Sequence, residues 1–172
     1  MPVVTIDFAI TPEDLRHIRE LFEEYAASLP VDLAFQRFDE ELATLPGGYS
    51  APSACLLLAR SDTVPVGCVG IRPLEPGIAE LKRLFVREAG RARGTGQALI
   101  HAALAFAERA GYQRIRLDTL PYMTAALTLY DRIGFRVIPA YRHNPVPGTV
   151  FLELVLPPDS GVRRARDDHD RP

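Results

Sequence analysis

Three stretches of this chain carry residue types that could do chemistry. The first is Arg91-Ala92-Arg93-Gly94-Thr95-Gly96, with Gln97 behind it. It joins a strand-like run, Glu80 to Val86, to an amphipathic segment that reads as a helix from Gly94. A chain that turns through glycine into a helix leaves several backbone N–H groups unpaired and aimed at one spot. The helix dipole favours negative charge at that spot, and arginines add fixed-charge donors. Arg87 lies just upstream, with Gly90, in the same loop. Such a loop is suited to phosphate. The second stretch holds Glu80 at the strand's start, and the third holds Tyr130 in a later helix-like segment.

Two phosphate loops are excluded by their own requirements. A P-loop needs a Gly-Lys pair followed by Ser or Thr, and the chain has no Gly-Lys pair. A dinucleotide fingerprint starting at Gly94 would need its third glycine where Leu99 stands.

The elements that must position these groups can be read in order. Residues 3–10 alternate as a strand. Thr11-Pro12 with Asp14 behind reads as an N-cap, starting a helix over 12–28 that Pro30 ends. A second helical piece is predicted over 35–45, with a loop at 47–53. Runs at 55–60, 65–73 and 78–86, separated by turns, predict three adjacent strands. A helix over 94–110, with Gly111 as its C′ residue, crosses to a strand at 114–119, which should lie parallel to 78–86. A helix over 122–133 stops at Gly134, and strands follow at 135–138 and 149–156. The order predicts an α+β, three-layer α/β sandwich: one mixed, mostly antiparallel sheet with helices on both faces.

The chain's 172 residues, 47% hydrophobic and 24% charged, fit one domain over 3–157. Residues 158–172 hold too little apolar surface to order themselves and read as a disordered tail. The net charge of −2 gives no case for nucleic acid as a partner. Cys55 and Cys68 read as buried reduced thiols, and no Cys/His cluster has metal-ligand spacing. The N-terminus lacks the marks of a signal peptide, and no apolar run approaches a membrane span of about 20 residues. A cytoplasmic protein with neither metal nor membrane attachment is expected.

Arg91-x-x-Gly94-x-Gly96 resembles the pyrophosphate loop, Gln/Arg-x-x-Gly-x-Gly/Ala, of the GNAT superfamily of acetyl-CoA-dependent N-acetyltransferases. The strand Glu80-Leu81-Lys82-Arg83-Leu84-Phe85-Val86 runs into that loop as it does in the family. Ala126 to Phe135 is similar to the family's A-x-x-L-Y-x-x-x-G-F segment, and the order of elements matches from about Val3 to Leu156. The resemblance implies the GNAT acyl-CoA N-acyltransferase fold and acetyl-CoA as co-substrate. It implies a pyrophosphate on the loop Arg91, Ala92, Arg93, Gly94, Thr95, Gly96 and Gln97, with an arginine for the 3′-phosphate. The pantetheine arm would lie along Leu84, Phe85 and Val86, between that strand and 114–119, and a backbone N–H there would bond the thioester oxygen.

By the same resemblance Glu80 deprotonates the attacking amine and Tyr130, which also touches the cofactor, protonates the leaving thiolate. An alkyl amine with a pKa of about 10.4 needs such help at neutral pH. Glu80 has an alternative as a strand-end ion pair, with Lys82 or with an arginine across the sheet. Tyr130 has one as a core aromatic beside Ala126 and Ile133. Where many members place an Asn against pantetheine, this chain has Met123. The acceptor, a primary amine of a small molecule or peptide, is not specified by sequence; Tyr49, Tyr141, Arg142 and His143 are candidate rim groups. A non-catalytic acyl-CoA-binding module, a different acyl group such as propionyl, and a homodimer all stay open.

Overall fold

Capping chemistry opens the first helix. In the computed structural model, which describes residues 2–158, Thr11 Oγ1 accepts from the Asp14 N–H at 3.1 Å. The Asp14 carboxylate in turn accepts from the N–H groups of Ile10 and Thr11, closing a capping box. Pro12 takes the first helical position, and α1 spans Pro12–Ser28. Burial pushes the Asp14 carboxyl up, but those N–H bonds and the Arg60 guanidinium outweigh it and hold the group well below the usual carboxylate range.

The single helical piece expected over 35–45 is divided. Asp32 accepts from Ala34 N–H and starts a 3-10 turn, Leu33–Gln36; Arg37 then takes φ 56°, and α2 begins at Phe38 and runs to Thr44. A left-handed residue cannot continue a right-handed helix, so the break is steric. A further 3-10 turn, Gly47–Tyr49, lies within the expected loop.

Seven strands follow in one sheet: β1 (Val4–Phe8), β2 (Cys55–Ser61), β3 (Val64–Glu75), β4 (Ile78–Val86), β5 (Arg114–Thr119), β6 (Arg136–Ile138) and β7 (Val150–Val155). Their order is β1-β2-β3-β4-β5-β7-β6, and β4–β5 is the parallel pair while the other neighbours run antiparallel. The parallel pair follows from the crossover through α3 (Thr95–Arg109). The last helix, α4 (Thr124–Ile133), ends at Gly134 in the left-handed region.

Alternation along the strands builds two cores. In β2, Cys55, Leu57 and Ala59 face α3 and α4, packing with Leu99, Ile100, Ala103 and Tyr130. Leu56 and Leu58 face α1 and α2, packing with Ile18, Leu21, Phe22 and Phe38. This is the expected sandwich, helices on both faces of a mixed sheet. Cys55 and Cys68 are buried free thiols, and burial raises both pKa values, Cys55 to about 12. The expected tail, apart from Pro158, lies outside the described residues.

Candidate functional site

β4 and β5 pair over three residues: Ile78 with Arg114, Ala79 with Ile115, and Glu80 with Arg116. Beyond that they part. The cause is visible in β4, where Arg83 takes φ 59° and the register with β3 slips between Lys82 and Phe85. Such a bulge bends and twists a strand away from its neighbour. The parting leaves the β5-facing edge of β4 without a strand partner, beside a cleft of about 620 Å³ that includes space open to solvent. Leu84, Met123, Ala126 and Tyr130 line it, as do Gln36, Lys82, Asp118 and Asn144. Leu29, Val31 and Phe35, from the segment joining α1 to α2, supply apolar wall.

The β4–α3 loop carries the features its sequence suggests. Gly94 is the N-cap of α3 at φ 71°, a value that favours glycine, and no side chain caps the helix. The first intrahelical bond runs from Ala98 N–H to Gly94 C=O, so Thr95, Gly96 and Gln97 present N–H groups that the helix does not use. Thr95 Oγ1 is buried without a partner at the same turn. Ala92 also holds a left-handed backbone, φ 59°, just before. At Gly96 a Cβ would meet Leu129 Cδ2 at 3.5 Å and Val86 Cγ2 at 3.8 Å, ordinary contact distances. The protein alone therefore does not require glycine at 96.

The three loop arginines do different things. Arg91 Nε donates to Val86 C=O at 3.0 Å, and Arg93 Nη1 reaches Ser61 Oγ at 3.4 Å; both side chains sit in exposed surroundings. Arg87 is committed to α1 instead, gripping both oxygens of Glu24 and donating to Pro65 C=O. That grip holds the Glu24 carboxyl below its ordinary pKa.

Tyr130 is buried on α4, edge-on to Phe135 at 5.4 Å between centroids, and it lines the cleft. Its hydroxyl has no hydrogen-bond partner among the described residues, and burial, with Tyr25 and Asp118 near, raises its pKa. Met123 lines the cleft as well, its thioether accepting from Thr119 Oγ1 at 3.7 Å.

Glu80 is fully buried, 0% exposed, and its carboxylate is surrounded by donors. Arg72, its cross-strand neighbour on β3, approaches Oε1 at 2.9 Å; Tyr141 donates to Oε2 at 2.9 Å, and Arg142 pairs with the same oxygen. The sealed Glu80 is not among the residues lining the cleft. Lys82 turns elsewhere: its Nζ donates to Gln36 Oε1 at 3.0 Å. Arg83 shares that acceptor and pairs with Glu41 at 2.8 Å. Of the candidate rim groups, His143 is exposed, while Tyr141 and Arg142 bind Glu80. Tyr49 is no rim group: it is 3% exposed, donates to Glu41 and packs on Phe22. Gln36, Glu41, Arg72, Asp118 and Asn144 are site residues that sequence reading missed. Each reaches the site through tertiary contact, and no local pattern marks them.

A parted parallel pair ending at an uncapped helix start is a geometry that sequence comparison can test. The profile of the Acetyltransferase (GNAT) family matches residues 16–135. The chain belongs to the GNAT acetyltransferase family. An uncharacterized N-acetyltransferase of Schizosaccharomyces pombe is 35% identical over 155 residues, covering 89% of this chain and 95% of that protein. Among solved structures, a GNAT-family acetyltransferase from Staphylococcus aureus has the same fold, with a TM-score of 0.73 at 20% identity, spanning 90% of this chain and all of that one. A PaiA N-acetyltransferase from Thermoplasma acidophilum, solved in complex with coenzyme A, has a TM-score of 0.69 at 17% identity over 89% and 99% of the two chains. Family membership carries acyl transfer from an acyl-CoA donor.

Proposed function

We propose that this GNAT acetyltransferase moves the acetyl group of acetyl-CoA directly to a primary amine, in a complex that holds both. The observation that carries the reading is the parted β4–β5 pair together with the unpaired N–H groups of Thr95 to Gln97 at the start of α3, where Gly96 lies against Val86 at the end of β4. Residues Arg91 to Gln97 would receive the pyrophosphate, with backbone N–H groups as the main donors and Arg91 and Arg93 at its edge. Leu84, Phe85 and Val86 would guide the acyl-pantetheine arm along the unpaired edge of β4, and an N–H there would bond the thioester oxygen as charge develops. That a same-fold protein was solved in complex with coenzyme A supports an acyl-CoA ligand for this fold.

Tyr130 supplies the acid in this reading. It lines the cleft, its hydroxyl has no hydrogen-bond partner among the described residues, and a phenol carries its proton at neutral pH, the more so where burial raises its pKa. Met123 leaves pantetheine with a thioether neighbour in place of an amide, a change that touches affinity more than chemistry. For Glu80 the surroundings favour the ion-pair role over the base role. Two guanidiniums and a phenol occupy its oxygens, and an amine in the cleft would have to displace one of them.

The test is a thermal-shift screen of primary amines with coenzyme A present, followed by thiol-release assays on the hits with acetyl-CoA. At least one amine should both stabilise the complex and release thiol. Firm acetyl-CoA binding with no thiol release from any amine would instead mark a non-catalytic acyl-CoA-binding module.

A further inference from the structure

The sequence contains a single lysine, Lys82, against nineteen arginines. That one lysine is 4% exposed and lines the cleft between β4 and β5. Arginine is the cation of choice for fixed, bidentate pairing and stays protonated; lysine is the cation that can surrender its proton when buried. Everywhere else a basic side chain is needed the chain uses arginine.

We propose that Lys82 is the general base of the transfer, its Nζ taking a proton from the attacking amine. The inference rests on the acetyl-transfer reading above and assigns the step that a sealed Glu80 leaves open. Lys82 lies two residues beyond Glu80 on the same strand, but in the cleft. Among the described residues no carboxylate lies within salt-bridge distance of Nζ, and its hydrogen bond goes to a neutral amide oxygen, Gln36 Oε1. The neighbouring carboxylates are engaged: Glu41 with Arg83 and Tyr49, Glu80 with Arg72, Arg142 and Tyr141, and Asp118 with Asn144. A desolvated ammonium without an anion favours its neutral form, whose lone pair can accept a proton.

The charges facing Lys82 agree. Burial, then Arg83 on the same strand and Arg72 of β3, push its pKa down to about 7, against the smaller opposing pull of Asp118 on β5 and Glu41 on α2. Tyr25 and Tyr130, on α1 and α4, line the same cleft, and as phenols whose pKa values burial raises further they carry no charge at neutral pH. A base with a pKa near the working pH is the efficient one.

In the step itself the amine lone pair forms a bond to the thioester carbonyl carbon, and the proton shed by that nitrogen moves to Nζ. The C–S bond then breaks, its electron pair leaves on sulfur, and the Tyr130 hydroxyl protonates the thiolate. Lys82 returns its proton to solvent and Tyr130 regains one, so an amine and a thioester become an amide and a thiol.

A single lysine makes the test direct. Protein labelled with ¹³C,¹⁵N-lysine gives one lysine side-chain resonance, followed against pH with and without coenzyme A. Its midpoint should lie within about one unit of pH 7, far below the ~10.4 of a free lysine. A midpoint above about 9 overturns the proposal. Thiol release is then measured with benzylamine, which has no carboxylate, and with phenylalanine, which has one, as probe acceptors. Lys82→Arg and Lys82→Gln should each lower kcat/KM at least about tenfold and abolish the acidic limb near neutral pH, with coenzyme A affinity unchanged. A profile of wild-type shape in both variants overturns the base role. So does a rise in KM confined to phenylalanine, which would make Lys82 a carboxylate anchor. If neither probe turns over, the lysine midpoint decides. If coenzyme A moves no amide signal at residues 92–97 in a second, uniformly ¹⁵N-labelled sample, the acetyl-transfer reading fails, a result separate from the lysine titration.

Discussion

The two ends of the β4–β5 cleft are built from different materials. Toward α3 the site is backbone: one contiguous loop bent through Ala92 and Gly94, with N–H groups left over at the helix start. Toward Glu80 it is side chains: Gln36 and Lys82 on the cleft wall, with a buried ion cluster behind them drawn from positions 41, 72, 80, 141 and 142 on separate elements. The first end is sensitive to what a substitution does to backbone geometry. The second is sensitive to the loss of almost any side chain, since each ion depends on another. A backbone site suits a ligand group that all relatives share, such as a pyrophosphate. A side-chain site can be retuned one residue at a time, which suits the part of the molecule that sees the acceptor.

The harshest way to break this contrast is at the side-chain end. Glu80→Leu would leave Arg72 and Arg142 facing each other, two cations without their shared anion. Removing one partner of a buried pair costs about 3–5 kcal/mol, and urea denaturation should show a loss in that range. A loss below about 1 kcal/mol would mean that the cluster is not held as described.

Tyr130→Phe asks whether chemistry is concentrated between the two ends. Phenylalanine keeps the ring against Phe135, so packing survives and the hydroxyl alone is lost. General acid catalysis is typically worth ~10²–10⁴-fold. Even with rescue by water, kcat and kcat/KM should fall together by at least about tenfold while acetyl-CoA affinity holds. If affinity falls and kcat holds, the hydroxyl is a cofactor contact that makes up for Met123.

The same contrast explains what could be read from sequence. The α3 end was legible because its determinants are local: a strand, three glycines and a helix within about twenty residues. The bounds of α1 and of β4 and β5, set by capping and hydrophobic runs, matched closely for the same reason. The division at Arg37 was not legible, because nothing in a polar arginine signals a positive φ. The pairing of Glu80 was legible only as one of two alternatives. Deciding between them needs Tyr141 and Arg142, sixty residues away and brought in by the β6–β7 connection. Charge complementarity alone offers Glu80 either Lys82 or an arginine across the sheet; the fold gives it Arg72 and turns Lys82 to Gln36. Tyr49, an expected rim group by its place in a loop, is instead a packed core residue.

At the backbone end, Gly96→Val should weaken acetyl-CoA binding by at least tenfold, about 1.4 kcal/mol, in a protein that remains folded. A β-branched side chain adds two methyl groups at a place where one Cβ already touches Leu129 and Val86. Isothermal calorimetry reads the change directly, and unaltered affinity would remove the loop from the cofactor site.

The finest distinction is between the two glycines themselves. Gly94 holds φ 71° with open space around the Cβ position, so its requirement is conformational. Alanine there should destabilise the protein by about 1–2 kcal/mol through left-handed strain, whether or not a ligand is bound. Gly96 lies in the first turn of α3, and its Cβ position is at ordinary contact distances. Alanine at 96 should leave stability unchanged or raise it by up to about 1 kcal/mol, because helix propensity improves and the unfolded chain loses freedom. Its effect on acetyl-CoA affinity should stay within about threefold (~0.7 kcal/mol). Melting curves of the two alanine variants, with and without coenzyme A, separate the cases. If Gly96→Ala is the more destabilised in the absence of ligand, crowding inside the protein sets glycine at 96, and its place in a phosphate-binding backbone loses its main support.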